Sequence, residues 1–303
     1  EAHIAWCRQQ GVEIITHTRV EELHTRNKQI SGITVRYNDG STEQIACQTA
    51  ILATGGASYP ATGSTGDGYR LAHQLGHTII PIRPSLTPLI ADHPTPKPLI
   101  DFTLRNISAQ LYIDGKKAAE EFGELTFTPW GVGAAIVLRL SRQAVDALID
   151  ERKVELRLDL KPALTTEQLE ARIEREKNAL STKTPLRQLL AKLVPSVMIA
   201  ELARRAQLVP NRPMATLTDS DRQRLIGTLK AWRIPLTDYA PFREAIVTAG
   251  GVCTDEVDPL TMQSKLIRGL YFAGEVLDID ANTGGYNLQL AYSTGHLAGK
   301  LNA

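Results

Sequence analysis

The sequence is poor in cysteine, with three in 303 residues. Cys7, Cys47 and Cys253 lie far apart, form no CxxC pair, and have no histidine cluster nearby at metal-ligand spacing. Disulfide frameworks and zinc sites need such spacings, so neither is expected, and the chain is typical of a reducing compartment. A redox role for Cys253 is the alternative to a bystander thiol, and the lack of a partner cysteine favours the bystander.

Long hydrophobic runs and an excess of one charge are missing as well. No apolar segment approaches the roughly 20 residues that a membrane helix needs, and no basic-then-apolar leader opens the chain. The 34 Lys and Arg residues against 33 Asp and Glu leave a net charge of +1. These absences predict a cytoplasmic location, no membrane partner and no overall attraction to nucleic acid, and they leave the oligomeric state open.

The first residues lack a methionine and a loop, and instead show a helical pattern of apolar side chains. Ala2, Ile4, Ala5 and Trp6 have this spacing, so we interpret the start as a cut within a longer chain. At 303 residues, the chain is still long enough for two buried cores.

At its N-terminal end the sequence alternates between helix and strand signals. Gly11 ends the opening helix, and residues 12–15 predict a strand. Residues 30–37 and 42–47 predict an antiparallel hairpin, because apolar and polar residues alternate on both sides of a turn. The apolar run at 50–53 is typical of a buried parallel strand.

The middle of the chain has a different pattern. Prolines are dense from 81 to 98, which predicts a rigid crossing between domains. Strand signals follow at 103–113, 124–128 and 154–160, and then a helical region from 165 to 232. Thr165 and Gln168 form the capping box that opens this region. Strand signals return at 245–248 and 269–273, and a glycine-rich loop then leads into a final helix at 288–301.

The strongest chemical signal is the string Gly269-Leu-Tyr-Phe-Ala-Gly-Glu-Val-Leu-Asp278, followed by Thr283-Gly-Gly-Tyr-Asn-Leu-Gln289. Gly274 allows close backbone approach, and Glu275 can accept hydrogen bonds from a polyol. N–H groups at the following helix N-terminus favour negative charge, as on a reduced flavin. Taken alone, each piece also fits a strand, a turn and a helix whose glycines serve only geometry.

Together with three further blocks, these strings resemble the BaiN-type family of bacterial NAD(P)/FAD-dependent oxidoreductases, which includes aminoacetone oxidase. The first two blocks are Ile51-Leu-Ala-Thr-Gly-Gly56 and Gly63-Ser-Thr-Gly-Asp-Gly-Tyr69. The third is Ala249-Gly-Gly-Val252 before Met262-Gln-Ser-Lys265. The blocks occur in order at family-like spacing, and the resemblance covers nearly the whole chain.

The resemblance implies an α/β fold with an incomplete Rossmann-like FAD-binding domain of the two-dinucleotide-binding type. This domain is discontinuous and comprises residues 1–87 and 244–303. Residues 88–243 form an inserted domain, β-barrel-like over 88–160 and helical over 161–243.

The resemblance also implies FAD as a two-electron carrier, NADH or NADPH as the electron donor, and a small organic molecule as substrate. The backbone of Val20 corresponds to the position that meets the adenine. The other implied FAD contacts are Ala53, Thr54 and Gly55 beside the pyrophosphate and ribose, Asp67, and Gly274, Glu275, Gly284, Gly285, Tyr286 and Asn287 around the ribityl chain and isoalloxazine. An N-cap on the helix near Tyr69 is the alternative role for Asp67. No residue stands out as a general base.

The chain departs from the family in two places. It has no opening strand, GxGxxG turn and helix, so the pyrophosphate clamp is absent. Relatives also carry a Phe-Thr-His-x-Gly-x-Ser-Gly-Pro string, where this chain has Phe127-Thr128-Pro129-Trp130-Gly131-Val132-Gly133-Ala134-Ala135. Any substrate role of that His or Ser is therefore lost.

Residues 151–233 contain 17 Lys and Arg against 10 Asp and Glu, an excess of seven positive charges. A solvated face of a helical bundle is the simplest explanation, whereas an anionic substrate, a nicotinamide phosphate or nucleic acid is the alternative partner. The alternative functions are accordingly an FAD-dependent tRNA-modifying protein and a flavin-binding protein without catalysis.

Overall fold

The computed structural model describes residues 2–300. Within this part of the chain, every helix is too short or too polar to cross a membrane. The helices are α1 (Ala2–Gln9), α2 (Asp67–Gln74), α3 (Ala135–Ile149), α4 (Thr166–Asn178), α5 (Leu186–Leu193), α6 (Ile199–Arg205), α7 (Asp219–Lys230) and α8 (Tyr286–Gly299). The strands are β1 (Thr18–Arg26), β2 (Gln29–Tyr37), β3 (Thr42–Ala46), β4 (Ala50–Leu52), β5 (Ile79–Ser85), β6 (Leu89–Ala91), β7 (Thr103–Ile113), β8 (Lys116–Thr128), β9 (Gly131–Gly133), β10 (Val154–Asp159), β11 (Trp232–Tyr239), β12 (Val247–Val252) and β13 (Leu270–Phe272).

The middle of the chain forms a closed barrel with the strand order β10-β11-β6-β9-β8-β7. Side chains alternate along each strand, so that Val154, Leu156 and Leu158 of β10 all point inward and are buried. One core cluster extends from Leu89 to Leu236 and continues under the helices that cover the barrel. Closure leaves the barrel without free strand edges.

The two ends of the chain share a second core, which takes its members from residues 23–72 and 252–298. Strands β1, β2 and β3 form an antiparallel meander, and β5 pairs with β12. Strand β4 pairs with β13 in parallel, with Ala50 opposite Leu270 and Leu52 opposite Phe272. The carboxyl ends of these two strands therefore lie side by side at one sheet edge.

Several sequence predictions are confirmed. The mixed α/β architecture with a barrel is present, and so are the β2–β3 hairpin and the parallel strand β4. In the predicted capping box, the backbone N–H of Gln168 donates to Thr165 Oγ1 at 3.2 Å and that of Thr165 to Gln168 Oε1 at 2.9 Å.

One local prediction is wrong, and a second holds only in part. Residues 12–15 form no strand, and Val12 and Ile15 are about half exposed, because no strand among residues 2–300 pairs with them. The proline-rich stretch 81–98 does lead from the β5–β12 pair into the barrel at β6, but it is not only a linker, since Pro81 and Pro84 lie within β5. Proline is tolerated there because β5 belongs to a two-stranded pair, which leaves one N–H edge free.

In the inserted segment, the sequence analysis missed one helix, α3, and three strands, β6, β9 and β11. Helix α3 lies inside the stretch expected to be only barrel, and its apolar residues recur at helical spacing. Strand β11 lies inside the stretch 161–243 that was expected to be helical. Its alternating buried residues Trp232, Ile234 and Leu236 are a strand pattern, and β11 closes the barrel between β10 and β6.

The domain boundaries at 88 and 243 stay a prediction. We expect a fragment of residues 88–243 to unfold in one cooperative urea transition, because the barrel and its core begin at Leu89 and end within β11. Circular dichroism in the far and near ultraviolet would measure it. A fragment of residues 88–231 is the matched control, since it lacks β11 and should lose the transition. A non-cooperative 88–243 fragment would show that the boundaries are misplaced.

Candidate functional site

Two glycine-containing turns leave the paired strands β4 and β13 at the same edge. The backbone N–H of Ala273 donates to the Leu52 carbonyl at 3.0 Å, so the pairing continues into both turns. Gly55 and Gly274 then adopt left-handed backbone conformations, with φ of +72° and +74°. Residues other than glycine rarely adopt these backbone angles, so the turn geometry favours glycine at both positions.

Close packing joins these turns to the start of α2. A Cβ on Gly56 would lie 2.5 Å from Glu275 Oε1, and a Cβ on Gly68 would lie 2.1 Å from Thr54 Oγ1. Both distances are far below van der Waals contact, so these positions exclude any side chain. Because Gly56 and Gly68 have no side chains, Glu275 can pack against the turn after β4, and Thr54 can pack against the start of α2.

Thr248 holds this cluster together, although the sequence analysis did not single it out. Its backbone N–H donates to Glu275 Oε1 at 2.7 Å. Its Oγ1 accepts hydrogen bonds from the backbone N–H groups of Ala57 at 2.8 Å and Ser58 at 3.1 Å. Thr248 is fully buried in β12. Its only sequence signal is its place directly before the Ala249-Gly-Gly-Val252 block.

The carboxyl group of Glu275 is partly buried without a cationic partner. Burial raises its pKa, which the hydrogen bond from Thr248 only partly offsets. No basic side chain within residues 2–300 forms a salt bridge with it, and its Oε2 accepts no hydrogen bond there. A half-buried carboxylate with an unused oxygen is suited to accept a hydrogen bond from a ligand hydroxyl.

The loop before α8 is closed by Asn287. The amide Nδ2 of Asn287 donates to the Ala281 carbonyl at 2.8 Å, and Oδ1 accepts from the Ala281 backbone N–H at 2.9 Å. Gly284 and Gly285 have positive φ, and Gly285 is the N-cap of α8 without a side-chain cap. The N–H groups at this helix start are thus available to a ligand, and Tyr286 is exposed beside them.

The structure therefore places most of the expected site residues around one sheet edge. Glu275, Gly274 and Asn287 line one small cavity, and the turn after β4 packs against Glu275. The predicted residues in or beside this arrangement are Ala53, Thr54, Gly55, Gly274, Glu275, Gly284, Gly285, Tyr286 and Asn287.

Val20 and Asp67 lie together at the contact between β1 and α2. Arg19 Nη2 donates to Asp67 Oδ1 at 2.5 Å, and Arg70 Nη2 donates to the Val20 carbonyl at 3.5 Å. The N-cap of α2 is Gly66, so the alternative N-cap role of Asp67 is wrong. Burial alone would raise the pKa of Asp67, but hydrogen bonds from Arg19 and Thr65 outweigh it and lower the pKa.

The inserted segment reaches the loop before α8 through Asp280, whose carboxylate is almost fully buried. Arg142 of α3 forms an ion pair with Asp280 Oδ1, and Ser85 Oγ donates to Oδ2 at 3.0 Å. These contacts fix the loop against the barrel, and they join residues far apart in sequence.

Three side chains, Glu256, His77 and Ser264, are linked by hydrogen bonds next to β13, where the His77 ring packs against Phe272. His77 Nδ1 lies 2.9 Å from Glu256 Oε2, and Nε2 lies 2.8 Å from Ser264 Oγ. Ser264 Oγ accepts two backbone N–H groups, from Leu266 and Ile267, so its own proton donates to Nε2. Burial lowers the pKa of His77, which keeps the ring neutral. These hydrogen bonds pair the buried His77 and Ser264 side chains, so the three residues stabilise the fold. Within residues 2–300, no three or more His, Cys, Asp and Glu side chains are grouped so that they could hold a metal ion.

We expect Thr248→Val to lower the free energy of unfolding by about 2 kcal/mol, because it leaves the buried N–H groups of Ala57 and Ser58 without an acceptor. Urea unfolding of the whole chain measures this. Thr248→Ser keeps the hydroxyl and serves as the control, and it should lose less than Thr248→Val. If Thr248→Ser lowered the free energy of unfolding as much as Thr248→Val, the hydroxyl would not be the group that stabilises the fold.

A family model described as "HI0933-like protein Rossmann domain" matches residues 1–301. The 3-dehydro-bile acid delta(4,6)-reductase of Clostridium scindens is 34% identical over 298 residues, which are 97% of this chain and 70% of the reductase. The ribosomal RNA dihydrouridine synthase of Escherichia coli K12 is 31% identical over 282 residues, which are 92% of this chain and 66% of the synthase.

Among solved structures, Mycobacterium smegmatis Sdh1 in complex with UQ1 matches with a TM-score of 0.40 at 15% identity, covering all of this chain and 45% of that chain. The chain thus spans about two thirds of the E. coli relative and under half of Sdh1. On the match over residues 1–301 and the identity to the reductase, the chain belongs to the HI0933-like protein Rossmann domain family, within the FAD-dependent oxidoreductase superfamily.

Proposed function

We propose that this chain belongs to a BaiN-type oxidoreductase that uses FAD to oxidise or reduce a small organic molecule. The observation that carries the proposal is the arrangement around Glu275. Its carboxylate has an unused oxygen and, within residues 2–300, no cationic partner, and it packs against Gly56 in the turn that follows β4. These features fit a cofactor that presents hydroxyl groups and a phosphate-linked backbone.

Each part of the site has a distinct role under this proposal. Glu275 accepts a hydrogen bond from a ribityl or ribose hydroxyl, and Thr248 holds the carboxylate in place. The N–H groups at the start of α8, after Gly285, stabilise negative charge at the flavin edge. The turn at 53–55 lies along the pyrophosphate and ribose, and Val20 lies at the adenine end with Asp67. FAD itself supplies the two-electron chemistry when bound.

The proposed substrate class follows from the most informative named relative. The Clostridium scindens enzyme is named as a 3-dehydro-bile acid delta(4,6)-reductase, and it shares 34% identity with this chain. We propose a small organic substrate and NADH or NADPH as the electron donor. Anaerobic addition of NADH or NADPH to the flavin-loaded, N-terminally extended protein tests this. Bleaching of the visible flavin band supports an enzyme, and a band that persists with both donors supports a flavin-binding protein without catalysis.

The second candidate function is an FAD-dependent modification of RNA. It is favoured by the relatives named ribosomal RNA dihydrouridine synthase, which are 31% and 30% identical to this chain. The positive excess over residues 151–233 is the feature that would contact RNA. Reduction of uridine in purified ribosomal RNA, measured by mass spectrometry with the reduced protein, separates this candidate from the first.

We expect Glu275→Gln to weaken FAD binding while stabilising the flavin-free chain at neutral pH. The native pKa of Glu275 is raised above its unfolded value, so its contribution to stability is lost as pH rises from the unfolded pKa through the native pKa. The neutral amide removes this loss, but it accepts a hydroxyl less strongly than a carboxylate does.

Thermal melts of the flavin-free chain from pH 4 to 8 and FAD titration of the N-terminally extended protein measure the two effects of Glu275→Gln. Glu151→Gln, at an exposed position in the inserted segment, is the control and should change neither. A variant that melts lower than the parent chain at pH 7 and binds FAD equally well would contradict the assignment of Glu275.

We expect the 303-residue chain alone to bind FAD poorly. It has no GxGxxG turn to present N–H donors to the pyrophosphate. Among residues 2–300, β4 pairs only with β13, while Leu288 and Tyr292 of α8 are exposed by 65% and 66%. The free edge and this apolar helix face indicate that a neighbouring element completes the sheet.

Gel filtration with FAD, followed by absorbance of the protein peak, measures retention by the 303-residue chain. An N-terminally extended form that carries a strand and a GxGxxG turn is the matched comparison, and it should retain about one equivalent. One equivalent of FAD on the 303-residue chain, with mass spectrometry excluding a co-purified fragment, would contradict the prediction.

A further inference from the structure

A cavity of about 770 Å³ lies in the inserted segment, between the barrel and the helices α6 and α7. Its size falls in the range of roughly 300–1,000 Å³ that is typical of small-molecule sites. None of the residues proposed to contact FAD lines it. Its lining combines apolar residues, among them Pro94, Pro96 and Ala231, with the four arginines Arg204, Arg205, Arg224 and Arg233.

Two of these arginines are held in place by one buried carboxylate. Arg204 donates from Nε and Nη2 to Glu201 at 2.7 and 2.6 Å, and Arg205 Nε donates to the same carboxylate at 2.7 Å. Arg205 Nη1 also donates to the Arg233 carbonyl at 2.7 Å. One negative charge therefore orients two positive charges, and the remaining N–H groups of both guanidinium groups stay available.

The same arrangement recurs on the neighbouring helix. Asp221, which is also buried, pairs with Arg212 and with Arg224, and Arg224 lines the cavity. Arg233 lines it from β11 and forms no salt bridge with the described residues. The acidic residues of the lining are Asp92, Glu155 and Glu201, against four arginines, and Glu155 is paired with Arg157 outside the lining. The lining therefore has more positive than negative side chains, and ion pairs within the chain already hold three of the arginines in place.

A buried indole lies behind the arginines. Trp232 is 1% exposed and lines the cavity, and its Nε1 has no hydrogen-bond partner within the described chain. The guanidinium carbon of Arg205 lies 4.5 Å from the Trp232 ring centroid, so the ring supports this arginine from one side. A buried indole N–H usually finds an acceptor, so the unpaired Nε1 of this lining residue is a second unusual feature of the cavity.

A glycine inside helix α7 keeps part of the cavity open. Gly227 has ordinary helical backbone angles, and a Cβ at this position would meet no atom within 4 Å. Because Gly227 lines the cavity, a larger side chain introduced at this position would occupy part of the space.

We propose that this cavity binds a nucleoside phosphate. Arginine forks recognise phosphate oxygens in a bidentate manner, and guanidinium groups and apolar walls accept a flat base. The cavity is larger than a lone phosphate needs, and the combination of apolar residues with arginines in its lining matches a molecule that carries both a base and a phosphate. The nucleoside phosphate belongs either to a single-stranded RNA or to a free nucleotide. This departs from the expectation that the chain has no nucleic-acid partner, and it does not depend on the proposed FAD site.

Binding to the flavin-free 303-residue chain tests the proposal with three probes: labelled single-stranded oligouridylate, AMP and inorganic phosphate. We expect oligouridylate or AMP to bind at one equivalent and more tightly than phosphate. Gly227→Leu should weaken that binding about tenfold or more without lowering the melting temperature, and Gly227→Ala should weaken it less. Gly295→Ala is the matched control, because Gly295 lies inside α8, also with open space at its Cβ position and outside the cavity.

The indole N–H signals in a nitrogen-15 spectrum locate the binding. The signal of Trp232 should shift on addition of the nucleotide, whereas that of Trp130, exposed outside the cavity, should not. Binding of oligouridylate with strong salt dependence identifies RNA as the source, and binding of AMP alone identifies a free nucleotide. The proposal is overturned if no nucleotide probe binds, if phosphate binds as tightly as the nucleotide, or if Gly227→Leu binds like the parent chain.

Discussion

The parallel pairing of β4 with β13 is the contact on which the candidate site depends. Each strand has only three residues, yet together they join chain segments more than two hundred residues apart. Parallel strands end at the same edge, so the turn after Leu52 and the turn after Phe272 meet there. Thr248 then reinforces the junction by bonding to both turns. A shift of one residue in this register would move Glu275 away from Gly56.

A carboxylate without a cation is an unusual group to place at such a junction. Most buried or half-buried acids in this chain are paired with arginine, as Glu201, Asp221 and Asp280 are. Glu275 is instead held by one backbone N–H, and burial raises its pKa. The paired acids stabilise the fold, whereas Glu275 has a carboxylate oxygen that is free to bind a ligand.

Much of this architecture could be predicted from sequence because its signals are local. Alternation and turn residues identified β2 and β3, and the Thr165 and Gln168 capping box identified the start of α4. Strand β11 was missed because it follows directly on a helix and pairs with strands remote in sequence. Thr248 and Asp280 were missed for a related reason, since their partners are brought close only by the fold. Residues 12–15 show the opposite case, in which a strand-like sequence has no partner and stays irregular.

The inserted segment has a hydrophobic core of its own, and ion pairs also attach it to the part of the chain that carries the candidate site. Its barrel and helices share one core of their own, so the cavity between the barrel and α6 and α7 can keep its shape whatever occupies the sheet edge. Two arginines nevertheless join this segment to the rest of the chain, because Arg83 pairs with Asp146 of α3 and Arg142 of α3 pairs with Asp280. Asp280 lies in the loop that Asn287 closes, directly between Glu275 and α8. Both ion pairs of α3 therefore end on elements that border the candidate site, since Arg83 belongs to β5, the partner strand of β12, and Asp280 to the loop before α8.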